Sequence, residues 1–407
     1  MKCGLLGAKL GHSYSPQIHR NLGSYTYELF EKEPEQLENF LKNGDFTGLN
    51  VTIPYKKAVM QYCDELSPIA QKLGAVNTIV KKPDGKLIGH NTDYFGFTSM
   101  LQRSGIDPKG KRVLVLGTGG ASATVQAVLQ EMGAKVTVIS RSGKYNYDYM
   151  YYFRHTVLIV NATPVGMYPN NGETLVNLTR FPKLEGVLDL IYNPDRTQLL
   201  LDAEKLGLIA MNGLWMLVAQ AKESAQWFLD KPIDDTVMEP IYRKLQKQTE
   251  NITLIGMPGC GKSTVGKLLA LELGRPFVDA DVEITKRAGK SIPEIFNQYG
   301  EEHFRQLETQ VLADLCKASG TVIATGGGCV TRERNFPILR QNSRIIWLKR
   351  NLFMLATDGR PLSAQNSVID LYDQRKDLYI KLADCIIDND TDPENTVCKI
   401  ILAEDSQ

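Results

Sequence analysis

The seven cysteines are scattered, with no C-x-x-C pair, and their number is odd. That argues against a disulfide framework and reads as free thiols in a reducing cytosol. No apolar run approaches the ~18 residues a membrane span needs. Met1 to Leu10 is a very short apolar run broken by Lys9, which excludes a secretory signal. The formal net charge of +1 leaves no nucleic-acid or polybasic membrane signature. There is no internal repeat and no low-complexity segment. What is present is ordinary for globular chains: 43% hydrophobic and 23% charged residues over 407 positions. At ~100–200 residues per domain, that length holds two to four domains.

The most informative stretch is Gly256-Met-Pro-Gly-Cys-Gly-Lys-Ser-Thr264, which fits G-x-x-x-x-G-K-[ST]. An apolar run, Ile252 to Ile255, precedes it, and a helical pattern, Val265 to Leu273, follows. Gly259 and Gly261 let backbone N–H groups turn inward, and the helix start adds partial positive charge. Lys262 would reach the β- and γ-phosphates of a nucleotide, Ser263 would hold Mg²⁺, and Thr264 is the neighbouring hydroxyl. Such a loop usually opens its domain. Its late position implies something complete in front of it.

In that front part, Pro34 to Leu41 reads as an amphipathic helix with proline in its first turn, and Leu49 to Ile53 as a strand end. Val113 to Leu116 runs into Gly117-Thr-Gly-Gly-Ala-Ser122, a helix to about Met132 ends at Gly133, and Lys135 to Ile139 is another strand. This is a β–glycine-turn–α–β unit of the dinucleotide-binding kind, with Gly117, Gly119, Gly120 and Ala121 at the turn. The second strand ends at Ser140-Arg141-Ser142 with no acidic residue adjacent. An acidic residue there suits the ribose of NAD, whereas arginine suits the 2′-phosphate of NADP. One charge-assisted bond implies roughly a ten- to hundredfold preference for NADP. A solvated surface arginine is the bland alternative.

Further apolar runs at 157–160, 186–191 and 208–210 and helical patterns at 214–229 and 241–247 complete the front part. Polar Gln246 to Asn251 carries no apolar periodicity and reads as a short boundary. Beyond it, apolar runs at 276–278, 321–324, 344–347 and 385–387 alternate with helical stretches, which argues for a parallel sheet with helices on both faces.

These residues are specific enough to resemble two families. The first ~245 residues resemble shikimate dehydrogenase and the last ~157 resemble shikimate kinase, so the chain looks like a bifunctional fusion. The implied architecture is α/β throughout. Residues 1–98 would be a substrate-binding and catalytic domain, and 99–246 a Rossmann-type NADP domain whose last helices return to the first. Residues 251–407 would be a P-loop kinase domain with a parallel sheet.

In the dehydrogenase part, Gly11 to His19 resembles the substrate loop, with Ser13 and Ser15 binding a carboxylate. Asn50-Val-Thr-Ile-Pro-Tyr-Lys56 resembles the most diagnostic segment, with Thr52 a ligand and Lys56 catalytic. Gly74 to Thr78 supplies Asn77, and Asn91-Thr-Asp93 supplies the lysine's partner. Asn161-Ala-Thr163 resembles a cofactor-side turn. Tyr192 and Gln220 would complete the pocket, with Gly213 near the nicotinamide. Reducing a ring ketone needs a hydride on carbon and a proton on oxygen. A carboxylate beside Lys56 favours its ammonium form, ready to donate. Spacing alone favours a structural ion pair; the surrounding motifs reverse that.

In the kinase part, Phe277-Val-Asp-Ala-Asp281 resembles a D-x-D segment, with Asp279 supporting Mg²⁺ and Asp281 holding the substrate hydroxyls. Phe304-Arg-Gln-Leu-Glu308 matches F-R-x-x-E, with Arg305 on the substrate carboxylate and Glu308 orienting it. Gly326, Gly327 and Gly328 would admit the ring. Arg375 would be a second carboxylate arginine, and Arg360 would sit on the lid over the phosphates. The bland reading of Arg375 is a solvated residue of a charged helix.

Some positions depart from the family patterns. Arg20 stands where asparagine is common. The tyrosine-rich stretch from Ser142 to Tyr152 is short. The lid, Thr357 to Ser363, lacks an arginine a few residues before Arg360, with Ala356 nearby. The expected cofactors are NADP(H), ATP and Mg²⁺, and the expected partners are 3-dehydroshikimate and shikimate, with no nucleic acid or membrane and with homo-oligomerisation open. Two alternatives stand beside this reading. One is a quinate-preferring, NAD-using dehydrogenase, against which Arg141 and the two serines argue. The other is an inactive regulatory module on a live kinase, against which Lys56 and Asp93 argue.

Overall fold

A computed structural model of the chain describes residues 1–11, 13–355 and 368–405. Its contacts group into two compact units. One holds Met1–Val165, Thr174–Tyr192 and Asp202–Leu245; the other holds Gly166–Glu173, Asn193–Leu201 and Gln246 onward.

The first unit opens with β1 (Lys2–Gly7), β2 (Thr26–Glu31), β3 (Gly48–Val51), β4 (Glu65–Leu66), β5 (Thr78–Lys81) and β6 (Leu87–His90). They form one sheet in the order β2-β1-β3-β5-β6-β4. β1 pairs parallel with β2 and β3, and β5 runs antiparallel to β3 and β6. Helices α1 (Ser15–His19), α2 (Leu37–Asn43) and α3 (Pro68–Leu73) connect these strands. Leu37 and Leu41 of α2, four residues apart on one helix face, pack with Leu6, Leu49 and Ile79 of the sheet. Pro34 starts a 3-10 turn rather than the α-helix itself. Glu33 and Gln36 exchange side-chain bonds across that turn, and α2 begins at Leu37.

The chain then passes through α4 (Asp93–Ser104) into β7 (Arg112–Leu116), α5 (Gly120–Glu131), β8 (Lys135–Ile139), β9 (Leu158–Asn161), β10 (Gly186–Asp189) and β11 (Ile209–Met211). These five strands are all parallel, in the order β11-β10-β9-β7-β8. β7 has β8 on one side and β9 on the other. The glycine turn after β7 therefore opens at the point where strand order reverses, where α/β sheets bind ligands. Between β8 and β9 there is only a 3-10 turn, Met150–Phe153, with Phe153 packed edge-on against Tyr145. β8 is left as the sheet edge.

After α6 (Gln198–Lys205), the helices α7 (Leu214–Leu229) and α8 (Met238–Thr249) follow. Phe97 and Met100 of α4 are fully buried in one core with Val113, Val125, Leu214 and Val218. Each contributes about 1.5–3 kcal/mol of burial. Phe228, near the far end of α7, packs on Cys3 and Val80 of the first sheet. α7 thus spans both sheets.

Three sequence expectations shift. A boundary at 98/99 would cut α4, which is continuous because its apolar face is buried along its length. The polar stretch after Gln246 is not irregular. It is the last turn of α8, and β12 starts at Asn251. Arg275 closes that junction by donating to the carbonyls of Lys247 and Glu250 at 2.5 and 3.1 Å. Segments 166–173 and 193–201 group with the second unit and not with the nucleotide-binding sheet. The Tyr168 hydroxyl donates to the Cys316 carbonyl at 3.0 Å, and Arg196 donates to the carbonyls of Gln341 and Ser343 at 2.8 and 2.9 Å.

The second unit holds β12 (Asn251–Ile255), α9 (Lys262–Leu273), β13 (Phe277–Asp279), α10 (Ala280–Ala288) and α11 (Ile292–Leu315). Then come β14 (Val322–Ala324), α12 (Asn335–Arg340), β15 (Ser343–Lys349), α13 (Val368–Leu382), β16 (Cys385–Asp388) and α14 (Pro393–Asp405). The sheet is parallel, in the order β13-β14-β12-β15-β16. Register puts Asp279 and Leu254 level with Ala324, so the phosphate loop, the D-x-D segment and the triple glycine leave the same sheet edge. Among the described residues, no helix is long and apolar enough to cross a membrane.

Candidate active sites

In the first unit, β3 ends at Val51 and the chain turns outward, which carries Thr52 and Lys56 over the sheet edge. Asp93 opens α4, where a negative charge is favoured. The two meet: Lys56 Nζ lies 2.6 Å from Asp93 Oδ2, with side chains 29% and 14% exposed. They line a cavity of about 330 Å³. Ser13, Ser15, Thr52 and Asn77 line its wall on the first sheet's side. Tyr192, Gln220 and Gly213 line the side of the second sheet, together with Ala121 from the glycine turn. The candidates for carboxylate binding, for proton donation and for the cofactor turn thus share one space. Burial pushes the Tyr192 phenol up, so it is held as a neutral hydroxyl.

Gly117 has φ +101°, and a Cβ there would stand 2.8 Å from Thr163 Cγ2. Only glycine lets the turn close on Asn161-Ala-Thr163, whose Asn161 Oδ1 accepts from Thr163 N and Oγ1 at 3.1 and 2.7 Å. Gly119 and Gly120 face open space at the start of α5, leaving room for a pyrophosphate. A second cavity of about 390 Å³ lies beside the β8 edge. Ser140 lines it, and its buried hydroxyl has no partner, as a group awaiting a ligand oxygen would. Arg141 and Ser142 are exposed and are not among its lining residues; Thr118, Lys144 and Tyr145 are.

In the second unit, Lys262 is buried and curls over the loop, donating to the carbonyls of Gly256 and Met257 at 3.0 Å each. Ser263 Oγ lies 2.5 Å from Asp279 Oδ2, while Asp279 Oδ1 caps α10 by accepting from Asp281 N at 3.0 Å. A hydroxyl beside a carboxylate at a helix N-terminus is a fitting partial shell for Mg²⁺, which keeps several waters and takes few protein ligands. Thr264, the next residue, is exposed.

The triple glycine is the hub of this site. A Cβ at Gly326 would stand 2.7 Å from Glu308 Oε1 and 2.9 Å from Asp281 Oδ1, and one at Gly327 would stand 2.6 Å from Pro258. At Gly328 it would overlap the Arg305 guanidinium. Arg305 donates to Glu308 at 2.8 Å and to Glu301 at 3.2 Å. Burial pushes the Glu308 carboxyl up, and the Arg305 guanidinium works against it. Arg375 is 4% exposed and donates to the Gly327 carbonyl at 3.3 Å, so it is no solvated helix residue. Arg360 and the rest of the lid, 357–363, lie outside the described residues.

The comparisons with known proteins fall on these two sites. A family model described as shikimate dehydrogenase substrate binding domain matches residues 5–79. The shikimate dehydrogenase (NADP(+)) of Clostridium perfringens strain SM101 is 37% identical over 265 residues, covering 60% of this chain and 97% of that protein.

The chain belongs to the shikimate dehydrogenase family.

It also carries a shikimate kinase domain, since the model of that description matches residues 258–405. A solved chorismate mutase/shikimate 5-dehydrogenase fusion protein from Clostridium acetobutylicum is 38% identical, with a TM-score of 0.58, covering 60% of this chain and 97% of its own. The Thermus thermophilus shikimate 5-dehydrogenase, solved with NADP(H) and shikimate, is 32% identical with a TM-score of 0.55 and covers 60% and 99%. NADP is named in the descriptions of both the Clostridium perfringens relative and the Thermus thermophilus structure.

Several residues of the dehydrogenase site escape motif reading. Tyr27, Asn50, Thr78, Thr92 and Ser224 form a buried polar layer beneath the cavity. Asn50 lies inside a diagnostic segment, but nothing in the sequence marks its side chain as turned inward. Ser224 stands four residues after Gln220, one helical turn along α7. That spacing is its only signal. In the kinase, Tyr379 donates to the Gly327 carbonyl at 2.5 Å and reads in sequence as an ordinary helix aromatic.

Proposed function

We propose that the first unit reduces 3-dehydroshikimate to shikimate with NADPH, and that the second phosphorylates shikimate at its 3-hydroxyl with MgATP. The observation that carries the reading is the 2.6 Å Lys56–Asp93 pair in a cavity walled by Ser13, Ser15, Thr52, Asn77 and Gln220. The serine and threonine hydroxyls and the two amides suit a small polyhydroxylated carboxylate. NADPH, when bound, supplies the hydride. Lys56 donates the proton to the carbonyl oxygen, and Asp93, 2.6 Å away, holds the lysine aimed. In the reverse direction the same pair takes the proton back.

In the kinase unit, Arg305 and Arg375 pair with the substrate carboxylate. Asp281 orients the attacking hydroxyl and accepts its proton, and Lys262 neutralises charge on the transferred phosphoryl group. Ser263 and Asp279 would hold Mg²⁺, which would supply charge neutralisation at the phosphates. Arg360 is assigned the lid contact by sequence alone. On the dehydrogenase side, Gly213 accommodates the nicotinamide and Ser140, Arg141 and Ser142 the 2′-phosphate. The proposed division gives the dehydrogenase to the first unit and the kinase to the second, which begins at Gln246 and also takes in 166–173 and 193–201.

The test supplies the purified chain with shikimate and MgATP and assays shikimate 3-phosphate, alongside Asp281→Asn. Product that falls at least a hundredfold in the variant supports the reading. Quinate and NAD turned over as fast as 3-dehydroshikimate and NADPH would replace it.

A further inference from the structure

Ser224 sits on α7, is fully buried, and touches neither the cavity nor solvent. Its hydroxyl donates to the Gln220 carbonyl at 2.9 Å. It accepts from Asn50 Nδ2 at 2.7 Å and lies 2.9 Å from Thr92 Oγ1 and 3.0 Å from Thr78 Oγ1. One oxygen therefore sits where β3, β5, the N-terminus of α4 and α7 meet; Thr52 follows β3, Asn77 precedes β5, Asp93 opens α4 and Gln220 lies on α7.

The layer extends in two directions. Toward the reacting end, Thr92 N donates to Asn77 Oδ1 at 2.7 Å, and Asn77 Nδ2 donates back to Thr92 Oγ1 at 3.1 Å. Thr92 is the residue before Asp93, so fixing its backbone and hydroxyl fixes the start of α4. Toward the other end, the Tyr27 hydroxyl donates to Asn50 Oδ1 at 2.8 Å, and Ser15 hydrogen-bonds the same phenol. His19, also fully buried, stacks on Tyr27 with ring centroids 4.0 Å apart. Donors and acceptors balance along this path. With the Ser224 proton on the Gln220 carbonyl, the Ser224 oxygen takes one proton from Asn50 and one from Thr92, and Thr78 gives its own to Asn77 Oδ1 at 3.1 Å. Such a layer has few alternative arrangements, and each member holds its neighbour in one rotamer.

We propose that Ser224 is a positioning residue of the dehydrogenase, holding Asp93 through Thr92 and Ser15 through Asn50 and Tyr27. It touches no substrate atom and acts only through those residues. The proposal rests on the assignment of Asp93 as the partner of Lys56. Removing the hydroxyl leaves Asn50 Nδ2 with its longer bond to Thr78 Oγ1 and lets the Thr92 hydroxyl turn back to Thr78 or Asn77. α7 then no longer ties the two ends of the cavity together, so both kcat and the KM for the shikimate-site substrate change.

The test is steady-state dehydrogenase kinetics on the full chain for Ser224→Ala, Asp93→Asn and the double variant. Ser224→Cys adds a little volume but keeps a weak donor, and it carries the comparison if the alanine variant does not purify folded. Expected for Ser224→Ala is about a tenfold fall in kcat and a threefold rise in KM, with the cysteine variant in between. In the Asp93→Asn background the further loss of kcat on adding Ser224→Ala is below twofold, since the residue it acts through is already disabled. A merely structural role would lower the melting temperature and multiply through both backgrounds alike. Equal losses in the two backgrounds overturn the proposal. So does a Ser224→Ala enzyme within twofold of wild type while Asp93→Asn is slow. An Asp93→Asn enzyme within twofold of wild type would sink the assignment of Asp93, and the proposal with it.

Discussion

Replacing Lys56 with alanine is the sharpest perturbation of the dehydrogenase. The Lys56 amine lies 2.6 Å from Asp93 and lines the cavity assigned above to the ring. A positioned acid is worth about 10²–10⁴-fold. The Lys56 side chain is 29% exposed, so water can reach the vacated place and donate, poorly aligned. That argues for the lower half of the range, about 10²–10³-fold in kcat. The hydroxyls of Ser13, Ser15 and Thr52 and the amides of Asn77 and Gln220 are untouched, so the KM for the ketone should move less than about threefold. The pair is partly exposed and contributes only about 0–1 kcal/mol to folding, so thermal unfolding should shift by a few degrees at most. The assay is NADPH consumption with 3-dehydroshikimate, with melting temperature as control. A folded Lys56→Ala enzyme with kcat within about fivefold of wild type would refute the proton-donor role and leave the pair a structural contact.

Two further perturbations separate the units and probe a buried charge. Gly328→Ala drives a methyl group into the Arg305 guanidinium, which is 3% exposed and held by Glu308, so it has nowhere to retreat. The kinase KM for shikimate should rise at least about tenfold with dehydrogenase kinetics unchanged, as read by the two separate assays. Glu250 is raised from 4.5 to about 7, first by burial and then by Asp195, with Arg196 and Arg344 opposing and Glu404 adding to the rise. A carboxyl raised by folding contributes stability that is full below about pH 4.5 and is lost as pH climbs through about 7, an effect of about 3 kcal/mol. Glu250→Gln removes that dependence, so its melting temperature should gain on wild type from pH 5 to about pH 7 and level off above that. A gap that stays constant with pH would contradict the assignment.

Local pattern carried much of this molecule. The phosphate loop was legible because strand, glycines and helix start occur in one continuous stretch, and Asp279 follows at a fixed spacing. Lys56 and Asp93 were nameable because each sits in its own short motif, although 37 residues separate them and only the turn after β3 and the start of α4 bring them together. Ser224 was not legible. Its role depends on α7 returning across the first sheet, and a serine in an apolar helix looks the same whether or not it meets Asn50 and Thr92. Ser140, Arg141 and Ser142 were read as the 2′-phosphate contact from their place after β8; of these Ser140 lines the adjoining cavity, and Lys144 and Tyr145, which line it too, carried no sequence signal. The shortened stretch after β8 reshapes that edge in a way linear spacing does not convey. The helical last turn of α8 was missed because its polar residues carry no periodicity. It is helical by continuation from Ile241 and Leu245, which are buried, and by the Arg275 bonds.

The central claim is that one chain performs two successive conversions, and one incubation addresses it. The purified protein receives 3-dehydroshikimate, NADPH and MgATP, and the products are separated and weighed. Wild type should yield shikimate 3-phosphate, Asp281→Asn should accumulate unphosphorylated shikimate, and Lys56→Ala should leave 3-dehydroshikimate unreduced. Shikimate 3-phosphate from both variants at wild-type rates, or none from the folded wild-type protein, would contradict that claim.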